Sequence, residues 1–347
     1  MRITPAAQDG SAVWAHEGGD VITLGVWTEK KPGRGEDCEP LVLHHEGSGL
    51  GMLAVCDGVG GAGVQLAGRT RSGTERSGAW VSSRAVRLAL EQYFLQQVDS
   101  GPPGLETAGP PSLRESIDRV LQQLRTPARS RIGGTMQREL PSTLAAIVYR
   151  RQAQEAGFRV RWAGDSRCYL LTPGAGLQQL SRDDTETPDA LSSLEQDPPM
   201  TNQIAADRRY DVHNEAGQVP LPCVLVCATD GFFNYVQTPA HFEYILLDTL
   251  ARSPGAAGWA ELLAHEVQGY TQDDASLAIV ALGYRELADL RAAFAARLAA
   301  VRADHWVPLQ GLAAGDVGAY RAARLDSWQR YRPEYEQRIP PRPEERG

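Results

Sequence analysis

Short apolar segments, each bounded by glycine, proline or an acidic residue, make up most of the sequence and limit what it can fold into. The segments DVITLGVW, PLVLHHE and GMLAVCDG, between residues 20 and 57, have the length and the boundaries of β-strands. Similar segments recur at 142–150, 157–164, 167–174, 177–181, 221–230 and 275–283. Glycine-containing turns between them are typical of antiparallel hairpins. The sequence therefore predicts antiparallel sheets.

Helical patterns separate and follow these segments. Apolar residues at helical spacing predict a helix over 75–98, and Ser112 with Glu115 forms the capping-box pattern of a second helix after a loop at 101–111. Further helices are predicted over 239–252 and 258–269. From Glu286 onward the composition shifts to Ala, Leu and Arg, which predicts two more helices.

Three regions follow from these patterns. We expect a domain over residues 1–284, with a polar, irregular and mobile flap-like insertion at about 183–221, and a helical C-terminal extension over 285–347. The first helix of the extension has apolar residues spaced by three and four and should pack on the domain. The second carries Trp328, Tyr331 and Tyr335 beside several arginines, a composition enriched at interfaces, which predicts an exposed surface for docking a partner.

Composition excludes several classes of protein. The 347 residues carry a formal net charge of -8, which argues against general affinity for nucleic acid or an anionic membrane. The five cysteines are scattered and lack the spacing of a zinc site, which favours a reducing compartment. No uninterrupted run of 18 apolar residues occurs, and the N-terminal segment lacks the apolar region of a secretion signal. We therefore expect a cytoplasmic protein.

Acidic residues recur at the ends of the predicted strands, next to a glycine, another acid or a small residue. They are Glu36 and Asp37 in GRGEDCEP, Asp57 in LAVCDGVGG, Asp165 in WAGDSR, Asp230 in VCATDGFF, and Asp273 with Asp274 in TQDDASLAIV. Loops from several strands can converge on one site. A carboxylate cluster without suitable His or Cys favours Mg²⁺ or Mn²⁺ over Zn²⁺.

The motifs GED, DGVGG, STLAAIV, GDSR, ATDGFF and DDASLAIV occur in one order between residues 20 and 284. In this order they resemble the metal-dependent Ser/Thr protein phosphatases, the PPM or protein phosphatase 2C family, of bacterial type. The resemblance implies an α+β fold: a four-layer αββα sandwich of two antiparallel sheets flanked by helices, with metals at one edge. It also implies two Mn²⁺ or Mg²⁺ ions and a third that binds more weakly.

The resemblance assigns ligand roles to particular residues. Asp57 would bridge the two metals, and the carbonyl of Gly58 would bind one of them. Glu36 would serve the second metal, while Asp230 and Asp273 would complete the first.

Other positions take supporting roles or depart from the family. By the resemblance, Asp37 would hold metal-bound water, and Asp165 matches the position of the third metal. Many members have a phosphate-binding arginine where this chain has Pro32, and the flanking Lys31 and Arg34 could supply its charge. At Asp274, where asparagine is common, the chain adds a negative charge.

The chemistry expected of such a site is phosphate ester hydrolysis. Two cations roughly 3.5–4 Å apart lower the pKa of a bridging water and offset phosphate charge, so that hydroxide attacks phosphorus in line. No phosphoenzyme is needed, and the sequence contains no CxxxxxR nucleophile motif.

We therefore expect a protein phosphatase acting on phosphoserine and phosphothreonine in a bacterial signalling pathway. Phosphorylated proteins and a cognate Ser/Thr kinase would be its partners. Two alternatives remain: a catalytically weak phosphoprotein-binding adaptor of the same fold, suggested by Pro32, and a phosphatase of a small phosphorylated metabolite, which would differ only in its pocket.

Overall fold

A computed structural model describes residues 11–70, 72–99, 112–125, 137–186, 189–196, 198–312 and 316–341. The loop predicted at 101–111 lies outside these ranges. The strands are β1 (Ser11–Gly18), β2 (Val21–Thr28), β3 (Leu41–His45), β4 (Leu50–Val55), β5 (Leu66–Arg69), β6 (Glu75–Ser77), β7 (Leu144–Arg151), β8 (Glu155–Ala163), β9 (Arg167–Thr172), β10 (Gly176–Gln179), β11 (His213–Pro220), β12 (Cys223–Ala228) and β13 (Ala275–Leu282).

The helices lie between and after these strands. They are α1 (Gly78–Asp99), α2 (Leu113–Leu124), α3 (Ala190–Ser193), α4 (Asp230–Phe233), α5 (Pro239–Arg252), α6 (Ala256–Tyr270), α7 (Leu287–Val301) and α8 (Val317–Tyr335), with a π-helical turn at Arg302–Trp306 and a 3₁₀ turn at Val307–Leu309 after α7. None of the described helices has the length and hydrophobicity that crossing a bilayer requires.

Two antiparallel sheets form the centre of the fold. One has the strand order β1-β2-β13-β12-β9-β10 and the other β11-β8-β7-β4-β3, while β5 and β6 form a separate hairpin. Leu53 and Ile147 from one sheet and Leu225 and Val280 from the other belong to one buried cluster between the sheets. Helices α1 and α2 cover the outer face of the second sheet, and α5 to α8 cover that of the first. The predicted αββα sandwich is confirmed.

The C-terminal extension packs on this sandwich. Leu290 and Phe294 of α7 are buried, as its apolar spacing predicts. Trp328, Tyr331 and Tyr335 of α8 are also buried, with 2%, 2% and 1% exposure, in the cluster formed with α5 and α6. The prediction that these three aromatic residues are exposed for a partner is wrong. Their spacing of three and four shows that one face is covered but not what covers it.

Several strands were not predicted. β1, the β5–β6 hairpin and β11 lack the dense apolar runs of the other strands, and the β11 sequence HNEAGQVP alternates between partly buried and exposed residues. β11 pairs along its whole length with β8 at the edge of the second sheet. The insertion at 183–221 is therefore partly regular, ending in an edge strand whose stability comes from backbone pairing.

Antiparallel pairing brings the acidic loops to one edge of the sandwich. In the first sheet the last residues of β2 and β12 pair with the first residues of β13 and β9. In the second sheet the last residues of β4 and β8 lie beside the first residues of β7. The short link from β8 to β9, Gly164–Ser166, crosses between the sheets at this edge. The acids that follow or precede these strand ends consequently meet.

Candidate metal centre

A cleft of about 430 Å³ opens at this edge and collects the residues singled out in the sequence. Its lining residues are Lys30, Lys31, Arg34, Glu36, Asp57, Gly58, Val59, Gly60, Gly61, Asp165, Met200, Asp230, Asp273 and Asp274. All six positions that the resemblance assigned to metal ligation are among them, together with both predicted phosphate-binding cations. Carboxylates and cations thus face the same space.

Asp57 is held in place by the STLAAIV motif of β7. The Ser142 hydroxyl donates to the Asp57 carbonyl (2.8 Å), and the Thr143 N–H donates to the same oxygen (2.9 Å). The Asp57 N–H in turn donates to Thr143 Oγ1 (3.2 Å). The sequence indicated no role for this motif. In the structure, its first two residues fix the loop that follows β4.

Asp37 lies behind Asp57 and does not line the cleft. It is 1% exposed, and Thr229 Oγ1 donates to its Oδ2 (2.7 Å). Burial raises the pKa of Asp37 well above its usual range. Burial, and then repulsion by Asp37, does the same to the pKa of Asp57. The role expected of Asp37, holding metal-bound water, stays a prediction.

Two carboxylates clamp the loop that carries the cations. Asp274 accepts hydrogen bonds from the Lys30 N–H (2.8 Å) and the Glu36 N–H (2.6 Å). Glu29 accepts two more from N–H groups inside the same loop, at 2.5 and 2.8 Å. Asp274 therefore does more than add charge, because it sets the positions of both ends of the segment with Lys31 and Arg34.

The remaining acids crowd one another. Burial raises the pKa of Glu36, repulsion by Asp274 and Asp273 raises it further, and a hydrogen bond from Ser77 acts in the opposite direction. Burial also raises the pKa of Asp273. This crowding of like charges favours an added cation, since a divalent ion would relieve it.

Glycine at two positions allows the loop after Asp57 to approach Glu36. A Cβ atom at Gly58 would lie 2.6 Å from the Glu36 carbonyl oxygen and 2.6 Å from that of Ala79. A Cβ atom at Gly60 would collide with the Glu36 carboxylate. Gly58 therefore requires glycine, because its neighbours are backbone atoms, whereas a side chain at residue 60 would displace the Glu36 carboxylate.

The GDSR loop is braced by ionic groups behind the cleft. The Arg167 guanidinium forms a buried pair with Asp183 (2.6 Å) and lies 4.1 Å over the Phe233 ring. Asp184, bonded to His213 (2.8 Å), accepts a hydrogen bond from the Gly164 N–H (3.0 Å). These contacts fix the link between the sheets from which Asp165 projects.

The donor set suits a hard divalent cation, since it consists of carboxylate oxygens and a backbone carbonyl. Within the described ranges, however, no three His, Cys, Asp or Glu side chains converge closely enough to hold an ion as they stand. Among the predicted ligands, Glu36 is engaged internally by the Ser77 hydroxyl. Binding an ion through Glu36 would require its carboxylate to turn from Ser77.

Comparison with known proteins identifies the architecture. No protein-family model matches the sequence, and no curated protein matches it. Among solved structures, the Mycobacterium tuberculosis serine/threonine phosphatase PstP/Ppp shares 17% identity over 76% of this chain and 99% of its own, with a TM-score of 0.52. The chain has the fold of the PPM-type phosphatases. A bacterial serine phosphatase, 13% identical, covers 80% of this chain and 99% of its own with a TM-score of 0.50.

A third structure with the PPM fold is the catalytic domain of PstP in complex with two manganese ions. It shares 18% identity over 76% of this chain and 98% of its own, with a TM-score of 0.48.

Proposed function

We propose that the protein hydrolyses phosphoserine and phosphothreonine in proteins at a binuclear Mn²⁺ or Mg²⁺ site in the acidic cleft. The observation that carries this proposal is the meeting, within a PPM fold, of six predicted ligand positions and two cations in one cleft. The cleft contains both kinds of group that phosphate hydrolysis needs, namely oxygen ligands for the metals and positive charges for the substrate.

The ligands divide between two main ions and a weaker third. Asp57 would be shared, Glu36 would hold one ion, and Asp230 with Asp273 and the carbonyl of Gly58 the other. Asp165 would hold the third. Bound divalent cations supply a water of lowered pKa and offset the charge of the phosphate, which makes direct in-line hydrolysis possible without a phosphoenzyme.

Residues of the chain itself would bind the phosphate of the substrate and orient a metal ligand. Lys31 and Arg34 line the cleft and form no ion pair within the described part of the chain. Their charges would bind the phosphate where Pro32 replaces the usual arginine. Asp37, buried behind Asp57, would keep Asp57 oriented and, as the resemblance implies, hold metal-bound water.

The biological setting that fits this chemistry is a bacterial signalling pathway. Its substrates would be proteins phosphorylated by a cognate Ser/Thr kinase. The adaptor alternative is less favoured because Lys31 and Arg34 compensate in charge for Pro32, and every ligand position is retained.

Hydrolysis of para-nitrophenyl phosphate with and without Mn²⁺ tests the proposal. Activity should require Mn²⁺ and disappear with a chelator. Asp57→Asn and Asp230→Asn should each reduce kcat by about 100-fold or more, since metal-ion stabilisation of transition-state charge contributes several kcal/mol. Titration calorimetry should show at least two Mn²⁺ ions per chain.

Asp326→Asn provides the matched control, because this acid is exposed on α8 and pairs only with Arg330 among the described residues. It should retain full activity. Normal activity of Asp57→Asn would refute the two-metal site, and a protein that binds phosphopeptides without cleaving them would support the adaptor. Faster cleavage of small phosphorylated metabolites than of phosphopeptides would favour the metabolite phosphatase.

A further inference from the structure

The C-terminal helix α8 contacts the insertion that borders the cleft. Residues 189–196, here called the α3 segment, include the short helix Ala190–Ser193. Ala190 and Leu191 are buried in the same cluster as Trp328, Tyr331 and Tyr335. This part of the insertion therefore packs on the extension, outside the region that resembles the phosphatases.

Polar contacts fix the α3 segment at both ends. At its start, Asp189 accepts a hydrogen bond from Trp328 Nε1 (3.2 Å) and pairs with Arg332 (3.1 Å). Near its end, Glu195 pairs with Arg324 (2.8 Å). Arg324 also donates to the Gln237 carbonyl (2.7 Å), so it joins α8, the insertion and the domain.

Met200, four residues after the α3 segment in the sequence, lines the cleft. Met200 forms an antiparallel bridge with Thr185, and the Thr201 N–H donates to the Asp184 carbonyl (2.8 Å). Among the lining residues, which include the DGVGG turn, Met200 is the one that belongs to the described part of the insertion. A displacement of the α3 segment would thus be transmitted to the wall of the cleft.

We propose that α8 is a positioning element of the active site: through Arg324 and Arg332 it holds the α3 segment, and thereby Met200, at the cleft mouth. This inference rests on the proposed function for its effect on catalysis. A phosphopeptide would extend past the cleft mouth and contact Met200 and its surroundings, whereas a small aryl phosphate would make fewer contacts with this wall. The wall therefore contributes to the binding of protein substrates.

The variants Arg324→Ala, Arg332→Ala and their double test the proposal in the full chain. The Arg332 side chain is 48% exposed and that of Arg324 13%, and neither belongs to the buried aromatic cluster of α8. Thermal melts would verify folding of the variants. Arg330→Ala is the control, because Arg330 lies on the same helix but pairs with Asp326 and donates to the Asp304 carbonyl, away from the insertion.

Backbone hydrogen exchange gives a readout that is independent of activity. Amides of residues 189–201 should exchange about two- to fivefold faster in each single variant than in the control, the scale expected for losing one partly exposed ion pair. The double variant should exceed both. Unchanged exchange in the double variant would overturn the proposal, even if the protein proved to have no phosphatase activity.

Kinetics give the second readout. With Mn²⁺, the KM for a short phosphothreonine peptide should rise about two- to fivefold in the Arg324 and Arg332 variants. The kcat for the peptide should stay at the control value, and the KM for para-nitrophenyl phosphate should rise less than the KM for the peptide. An equal loss with both substrates would indicate general destabilisation of the site and would refute selective positioning.

Discussion

The cleft and the contact between α5 and the C-terminal extension both contain buried carboxyl groups, but the two places differ in what compensates the negative charge. Glu243 of α5 is fully buried, and Arg297 forms two hydrogen bonds to it, at 2.7 and 3.0 Å, while the Tyr331 hydroxyl donates a third. In the cleft, Asp57 has the buried acid Asp37 as its carboxyl neighbour, and the pKa of each is raised.

This difference in compensation distinguishes a buried acid that stabilises the fold from one that binds a ligand. A carboxylate that has its own arginine is neutralised inside the chain, and the pair stabilises one packing arrangement. A carboxylate that faces other carboxylates is destabilising in the folded chain unless a cation arrives from solution. The contact at Glu243 is therefore structural, whereas the cleft is organised for a ligand.

The largest effect should follow from removing the internal counter-charge. Arg297→Ala would leave Glu243 buried without its cation, and breaking a buried pair costs about 3–5 kcal/mol. Urea denaturation should show this loss of unfolding free energy. A loss below about 1 kcal/mol would mean that the Glu243 contact resembles a surface pair and would break the comparison.

A pH-dependent effect should arise at His241, near the same contact. The Gln237 N–H donates to His241 Nδ1 (3.1 Å), and burial lowers the pKa of His241 to about 4. The unfolded chain binds this proton near pH 6.5 and the folded chain only near pH 4. Stability is thus fully present above the first value and lost as pH falls toward the second, at about 1.4 kcal/mol per pH unit.

His241→Asn keeps an acceptor for Gln237 but does not titrate in this range. Denaturation at pH 7, 6 and 5 should show a smaller loss of stability in the variant than in the natural chain. Parallel curves for the two proteins would show that His241 is protonated as easily when folded as when unfolded.

In the cleft, removing a charge should raise the free energy of unfolding, whereas Arg297→Ala should lower it. Without divalent ions, Asp57→Asn should stabilise the protein, because it removes a negative charge that burial and repulsion by Asp37 disfavour. It should also diminish the stabilisation produced by Mn²⁺. Thermal melts with and without Mn²⁺ measure both. Destabilisation of the ion-free protein would place Asp57 among the structural acids.

The smallest effect is expected at the surface. Arg252 pairs with Asp248 and Glu266, each at 2.7 Å, but its side chain is 45% exposed. Arg252→Ala should cost only about 0.2–1 kcal/mol. A cost comparable to that of Arg297→Ala in the same urea titration would show that burial does not decide the strength of these pairs.

Apolar runs predicted antiparallel strands, and acids at the strand ends, such as Asp57 and Asp230, predicted a shared site. The sandwich and the ligand roles came from the resemblance to the phosphatases. The clamp formed by Asp274 was not predictable in this way, because its partners are backbone N–H groups of a loop distant in sequence.

The C-terminal extension shows a second feature that sequence patterns could not predict. The spacing of Trp328, Tyr331 and Tyr335 marks a buried face, yet nothing local indicates that β10, α5 and the α3 segment cover it. Strand β11 was missed because an edge strand is stabilised by backbone pairing with β8, which leaves little pattern in its side chains.

Lys30 and Lys31 are the only lysines among the 347 residues, and both lie at the mouth of the cleft. Apart from the amino terminus, the chain therefore presents its primary amines in one place. Reagents that couple through lysine will attach a dye, a cross-link or a solid support beside the cleft rather than at random. The arginine-rich remainder of the surface stays unmodified, so with the amino terminus blocked, loss of substrate binding after such coupling would report on the cleft.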